Sequence, residues 1–311
     1  MIDTPFGSRF VFDSHTHFFD RTFLDALGRQ LVPRQGGAEV ARRLGWDEPP
    51  ADPEGTARQW VAEMDRHGVD RMVSIHTLPG DPASAGRGIA AARGRLLGYV
   101  TVNPLAPGAL QQVRSAVTDF GFRGVALFPA MHHFSLTSDA VSAVLQLADE
   151  HGLNVFVHCG VLKVGFRTAL GLPCAFDPQL ARPLHLQRPA AEFKRINFII
   201  PHLGSGYFRE LLMLADAAPN VYADTSGVAG WARYLDGAPR PAQVLRQAVD
   251  VLGAGRLLFG TDSTFFPRGW RRDVFDHQLQ VFHEARLTDE QVDQLLGENL
   301  ARLAGPAGRG S

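Results

Sequence analysis

Phe12-Asp13-Ser14-His15-Thr16-His17 closes the first apolar run of the chain, and its reading decides the fold. Arg9-Phe10-Val11-Phe12 predicts a short strand, and side chains two apart on a strand share a face. His15 and His17 then aim two imidazoles at one point, an arrangement suited to a divalent metal. A His-x-His pair also arises by chance. Its weight here comes from His158, His202 and Asp262, each a polar residue that ends a later apolar run.

Those runs recur. Arg71–His76, Leu97–Val102, Gly124–Phe128, Asn154–His158, Asn197–Pro201, Asn220–Ala223 and Arg256–Gly260 read as strands, eight with the first. They are short, apolar and mostly unbroken by polar residues, as parallel strands buried on both faces are. Helical patterns separate them, among them Ala109–Asp119, Asp139–His151, Gly206–Ala217 and Ala242–Leu252. His151-Gly152 supplies a helix stop, and Thr288 with Gln291 predicts a capping box at the start of the closing helices. The alternation predicts the α/β class and a (β/α)8 TIM barrel, with a doubly wound sheet as the structural alternative. One domain over residues 1–304 is expected, followed by a frayed tail, 305–311. Residues 20–65 after strand one and 160–195 after strand five exceed what a minimal barrel needs. They predict long lid insertions over the C-terminal face, where barrel active sites lie, or else surface padding.

At 311 residues the chain suits one barrel domain. With 31 basic and 32 acidic residues, it offers no electrostatic case for nucleic acid or an anionic membrane surface as a partner. Cys159 and Cys174 form neither a CxxC nor a disulfide framework. Met1–Gly7 has no basic n-region, so no signal peptide is expected, and no run reaches the roughly 18 apolar residues of a membrane span. A cytoplasmic protein acting on a small molecule is the expectation. Lysine is scarce, with Lys163 and Lys194 standing against 29 arginines.

Polar residues at the C-terminal ends of barrel strands converge on one mouth. His15 and His17 close strand one, His158 strand five, His202 strand six and Asp262 strand eight. Four histidines and an aspartate suffice to bind one zinc or similar ion and leave a group for proton transfer. Asp13-Ser14-His15-Thr16-His17, Val157-His158, Pro201-His202-Leu203-Gly204, Phe259-Gly260-Thr261-Asp262 and Glu298-Asn299-Leu300-Ala301-Arg302-Leu303 resemble, in order, the signatures of the amidohydrolase superfamily. Within it, the chain looks like the amidohydrolase-related branch that includes aminocarboxymuconate semialdehyde decarboxylase and related decarboxylases and lactonases. The resemblance covers nearly the whole chain.

The resemblance implies His15, His17, His158 and Asp262 as metal ligands. It places His202 beside the metal-activated water or the substrate, as acid, base or electrostatic stabiliser. Asp262 either binds the ion or accepts the water's proton. Many members hold two metals bridged by a carboxylated lysine that ends strand four. Here Gly124-Val125-Ala126-Leu127-Phe128-Pro129 contains no lysine, so one divalent metal is expected, zinc or else manganese. Some relatives in the branch work without metal. Relatives are often dimers or larger, which implies a homo-oligomer.

Substrate groups are read from the strand ends and the insertions. His76 ends strand two and either faces the mouth or packs, while His132 and His133 follow strand four and either meet substrate or sit in an exposed loop. Lys163, Arg167, Arg182 and His185 follow strand five, as carboxylate-binding groups or as a solvated basic face. Phe18, Phe19, Phe166, Phe176, Phe265, Phe266, Trp231 and Trp270 either line a pocket for a planar substrate or form the lids' own core. Gly204-Ser205-Gly206 is read as permitting close approach beside His202. A phosphate cradle is disfavoured because Arg209 stands where a dinucleotide motif needs its third glycine.

The expected function is a metal-dependent hydrolase that directs an activated water at an amide, ester or lactone of a small, carboxylate-bearing substrate. Asp262 and His202 are its expected catalytic residues. The alternative is metal-dependent non-oxidative decarboxylation of an aromatic or unsaturated acid. A third reading is a non-catalytic, ligand-binding barrel.

Overall fold

The computed structural model describes residues 1–305. A short antiparallel hairpin, Ile2–Thr4 with Gly7–Arg9, precedes eight parallel strands. These are β1 (Phe12–Phe18), β2 (Arg71–His76), β3 (Leu96–Thr101), β4 (Gly124–Leu127), β5 (Asn154–Val157), β6 (Phe198–Ile200), β7 (Val221–Asp224) and β8 (Leu257–Leu258). Each pairs with the next in chain order. The strand ladder stops at β8, and backbone bonds beyond it complete the ring. Ser14 N donates to Phe259 O at 2.9 Å, Asp262 N to His15 O at 2.8 Å and His17 N to Ser263 O at 2.8 Å. Sequential order with β8 meeting β1 is a barrel and excludes the doubly wound sheet, whose strand order reverses midway.

Asp13 fastens this seam. Its buried carboxylate accepts from His15 N (3.0 Å), Thr261 N (3.1 Å) and Trp270 Nε1 (2.8 Å), and from the Thr261 hydroxyl. Burial pushes its pKa up to about 6 against the pull of those donors.

The first strand differs from its reading. It runs Phe12–Phe18 rather than Arg9–Phe12, and Arg9 belongs to the hairpin. The strand reading stops at the first polar side chain, but Asp13 and Thr16 find partners within the ring, with Thr16 Oγ1 donating to Val73 O at 2.6 Å. The β1–β2 register also shifts between Asp13 and Thr16. Phe12 belongs to the barrel interior, and strict alternation would place Ser14 beside it. The irregularity moves the parity by one, so that His15 packs edge-on against the interior Phe156, 4.9 Å between centroids. The other strands and the Ala109, Asp139 and Pro241 helices end within one to three residues of expectation, and Thr288 does form a capping box with Gln291.

Alternate strand residues divide the core into two layers. Val73, Ile75, Tyr99, Ala126, Phe156 and Ile199 fill the barrel. Met72, Val100, Val125, Val155, Phe198 and Ile200 pack under the helices. Burial of both faces is why these strands read as continuous apolar runs. Leu300 and Ala304 of the last helix join the interior layer. Asn299 anchors that helix by donating to Ala254 O and Leu257 O, both at 2.8 Å. The Glu298–Leu303 signature therefore closes the barrel and stands away from the mouth.

The stretch between β1 and β2 carries helices Arg21–Arg29, Gly37–Leu44 and Pro53–His67. Asp20 caps the first by accepting from Phe23 N, and Asp52 caps the third by accepting from Gly55 N. The stretch between β5 and β6 carries the short helices Gly165–Ala169 and Gln187–Glu192. The two share a small core, with Leu170 and Leu172 packed among Phe19, Phe23, Leu27 and Val40. No helix among the described residues is long and apolar enough to cross a membrane. Of the tail 305–311, everything past Gly305 lies outside the described residues.

Candidate metal centre

A cavity of about 460 Å³ opens at the C-terminal end of the strands, with His15, His17, His158, His202 and Asp262 all on its wall. His15 Nε2 lies 3.6 Å and His17 Nε2 lies 3.4 Å from Asp262 Oδ1. The ligand-type atoms of these three residues all fall within 4.8 Å of one another. The opposite ring nitrogens are engaged elsewhere. His17 Nδ1 donates to Thr77 Oγ1 at 2.8 Å, the Thr77 hydroxyl itself pointing to Ile75 O at 3.3 Å. His15 Nδ1 donates to Asp224 Oδ2 at 2.9 Å. Two imidazole Nε2 atoms and one carboxylate oxygen thus meet with no other partner among the described residues, a donor set suited to one zinc-like ion.

Local backbone shapes the site. Asp262 has φ 56°, in the left-handed region, and its N–H donates to His15 O, so its backbone belongs to the barrel seam. His202, Leu203 and Ser205 also sit at φ 56°, 47° and 44°. Left-handed conformations of that kind persist only where surrounding contacts hold them. Here Asp224 Oδ1 accepts from His202 N at 3.0 Å, and His202 Nδ1 donates to Ser226 O at 3.0 Å. Gly204 and Gly206 take φ 84° and 100° and leave their Cβ positions uncrowded. Their role is conformational, which corrects the close-approach reading. The close approach falls on Gly160, where a Cβ would stand 2.2 Å from Gly204 O.

The electrostatics divide the carboxylates from most of the imidazoles. Burial alone would raise the Asp262 pKa, but the hydrogen bond from His17 and the charges of His15, His17 and His202 hold it well below the usual carboxylate range. For His15, burial lowers the pKa, yet the charge and hydrogen bond of Asp224 outweigh it and raise the ring to about 8. Burial lowers His17, His158 and His202, and the neighbouring imidazoles add to the effect. Among the described residues, His158 Nδ1 is buried without a partner, and its ring stands 5.2 Å from that of His202.

The substrate-side expectations fare unevenly. His76 points away from the cavity, buried under the helices with Nε2 on Gly80 O at 3.0 Å. It sits one residue too early, and Thr77 reaches the wall instead. His132 lines the cavity, whereas His133 turns to Ala175 O. Lys163 lines it while donating to Tyr234 Oη at 3.1 Å. Arg167 lines it too, but its guanidinium ties Pro173 O (3.0 Å) to Gln30 Oε1 (3.2 Å), joining the two insertions. Arg182 pairs with Glu210 outside the cavity. Phe19, Phe166 and Phe265 serve both readings, since they line the cavity and pack with Trp46 in the shared core.

Sequence reasoning missed Asp224, Ser226, Thr77, Trp46 and Arg268. Asp224 carries the same signal as the other site residues, a polar residue ending an apolar run, but the strand reading Asn220–Ala223 stops one residue short of it.

A (β/α)8 barrel with imidazoles and a carboxylate converging at its C-terminal mouth defines a class of metal-site enzymes. A sequence model described as amidohydrolase matches residues 12–305, and the chain belongs to that family. It is an enzyme of the amidohydrolase superfamily, as the signature residues imply. A match of 35% identity to the protein FluG of Emericella nidulans runs over 89 residues, 28% of this chain and 10% of that protein. The fold resembles 5-carboxyvanillate decarboxylase from Sphingomonas paucimobilis, with TM-score 0.65, 18% identity, and coverage of 95% of this chain and 99% of that one. It also resembles a probable 2-pyrone-4,6-dicarboxylic acid hydrolase from Acinetobacter baumannii, with TM-score 0.59, 14% identity, and coverage of 95% and 99%.

Proposed function

We propose that this chain is a metal-dependent hydrolase of a small organic substrate, with His15, His17 and Asp262 holding one divalent ion and His158 beside them. The observation that carries this reading is the convergence of His15 Nε2, His17 Nε2 and Asp262 Oδ1 inside the cavity. An ion held there supplies Lewis acidity and lowers the pKa of a water it binds. Asp262 remains ionised and opens onto the cavity, so it is placed both to neutralise a cation and to take up a proton at Oδ1. His202, neutral and anchored through Nδ1, directs Nε2 as a proton acceptor or, once protonated, as a donor to a developing oxyanion. Phe19, Trp46, Phe166 and Phe265 give the cavity an apolar surface that excludes water, while Lys163 and Arg268 on its wall supply charge suited to a substrate carboxylate.

Non-oxidative decarboxylation is the second reading, favoured by the fold it shares with a decarboxylase. There the same residues orient a carboxylate and a proton is delivered to carbon.

Metal analysis of protein purified without chelator tests the centre. About one zinc or manganese per chain is expected, and its loss in the His15→Ala/His17→Ala double variant. No metal as purified, and none taken up on titration, overturns the reading. With the metal identified, CO₂ release during turnover separates decarboxylation from hydrolysis.

A further inference from the structure

His15, His202 and Asp224 form a second group of ligand-type atoms within 4.8 Å of one another. Its hydrogen bonds argue against a second ion. The buried Asp224 carboxylate is fully engaged. Oδ2 accepts from His15 Nδ1 at 2.9 Å, and Oδ1 accepts from His202 N at 3.0 Å, from Ser226 N at 2.9 Å and from the Ser226 hydroxyl.

The partners determine which ring nitrogen carries hydrogen. Carboxylates and carbonyls only accept. His15 Nδ1 faces a carboxylate, so it is the protonated nitrogen. His202 Nδ1 lies 3.0 Å from Ser226 O and 2.8 Å from Ser226 Oγ, whose own hydrogen is directed at Asp224. His202 Nδ1 is therefore protonated as well. In their neutral forms both rings present a bare Nε2 to the cavity.

We propose that Asp224 is a positioning residue that serves two imidazoles at once, with Ser226 as its relay to the second. Through His15 it exposes the nitrogen that binds the ion. Through the His202 amide and Ser226 it holds the left-handed loop that aims the proton-handling nitrogen. This rests on the metal-centre reading for its purpose, but the geometry stands without it. An asparagine at 224 offers one acceptor and one donor where the carboxylate offers two acceptors. Either its NH₂ faces His15 Nδ1 and forces the other tautomer, or it faces the His202 and Ser226 amides and repels them. The same logic makes the Asp→Asn change in a Ser-His-Asp triad costly without disturbing its geometry.

The test is long-range ¹H–¹⁵N NMR of the full-length, metal-free chain at a pH of about 9, above the imidazole range. His15 and His202 are assigned from single His→Gln variants. Both are expected as Nδ1–H tautomers, and either ring found as Nε2–H overturns the proposal with no Asp224 variant needed. Asp224→Asn is expected to shift His15 away from Nδ1–H and to weaken zinc binding about 10–100-fold in chelator competition. Asp13→Asn is the control. It neutralises another buried carboxylate, one that meets His15 through its backbone amide and not its ring, and His15 is expected to stay Nδ1–H. If both variants leave the His15 tautomer alone, or both change it alike, Asp224 has no special positioning role. Failure of the wild type to bind zinc defeats the metal-centre reading alone, because the tautomers are read without metal.

Discussion

His15 Nδ1 donates to Asp224 Oδ2 across 2.9 Å, tying β1 to β7 over a separation of 209 residues. The neighbouring histidine is anchored on the other side, with His17 Nδ1 bound to Thr77 just past β2. Two rings on one strand are thus held from opposite sides, His17 from the end of the adjacent β2 and His15 from β7, two strands away past β8. Their Nε2 atoms turn toward the space between, where Asp262 stands 3.6 and 3.4 Å away. Preorganisation of this kind matters because a ligand nitrogen must be both bare and aimed before an ion arrives.

The anchor at Thr77 is open to direct test. Thr77→Val removes the acceptor for His17 Nδ1 with little change of volume. Zinc affinity is expected to fall about 10–100-fold in a chelator competition, with the unfolding free energy in urea changed by less than about 1 kcal/mol. An unchanged zinc affinity would show that His17 needs no orienting partner.

His202→Gln separates proton handling from metal holding. The variant is expected to retain its metal, because His15, His17 and Asp262 are untouched. Turnover on any substrate found is expected to drop about 10²–10⁴-fold, the usual reach of general acid–base assistance. Loss of metal together with activity would place His202 among the ligands instead.

The barrel seam is expected to be measurable as stability. Trp270→Phe keeps the aromatic body in its buried site and deletes the indole N–H that Asp13 accepts at 2.8 Å. A loss of about 1–3 kcal/mol is expected in urea unfolding, since a hydrogen bond to a buried carboxylate goes unmade. A change within about 0.5 kcal/mol would mean that the Thr261 contacts and the His15 amide satisfy Asp13 without the indole.

Acid is expected to weaken the metal-free fold through its buried imidazoles. Burial, helped by the neighbouring His133, lowers the His132 pKa to about 4, against the 6.5 of a free imidazole. Between those values the unfolded chain binds more protons than the folded one, so stability falls as pH drops from 6.5 toward 4. His17, His158 and His202 shift in the same direction, and His15 in the opposite one. Each fully uncharged ring adds a slope of up to about 1.4 kcal/mol per pH unit. Urea midpoints measured between pH 7 and 5 are expected to decline, and less steeply in His132→Gln. Identical slopes in the two proteins would remove His132 from this account.

Much of the architecture was legible because burial leaves a mark in the sequence. Strands covered on both faces must be apolar throughout, and eight such runs alternating with helical patterns admit few folds. Strand ends were legible where a lone polar residue broke the run, as at His158 and His202. The same rule failed on β1, where Asp13 and Thr16 are strand residues whose polar groups are satisfied by the ring itself. It also failed at His76, because a single residue of register separates the helix-facing side from the cavity side, and Thr77 took the cavity.

The apolar pattern by itself determined the α/β barrel and the polar residues that end its strands, since both depend on burial and on short-range spacing, while the signature motifs carried the resemblance to the family. Tertiary structure alone decided which nitrogens are bare, through Asp224, Ser226 and Thr77. It decided that the β1 irregularity puts Phe12 and His15 on the same side, and that Arg167 links two insertions instead of presenting a free guanidinium. Those outcomes turn on partners 24 to 209 residues away and on shifts of a single residue in register, which no periodicity in the chain records.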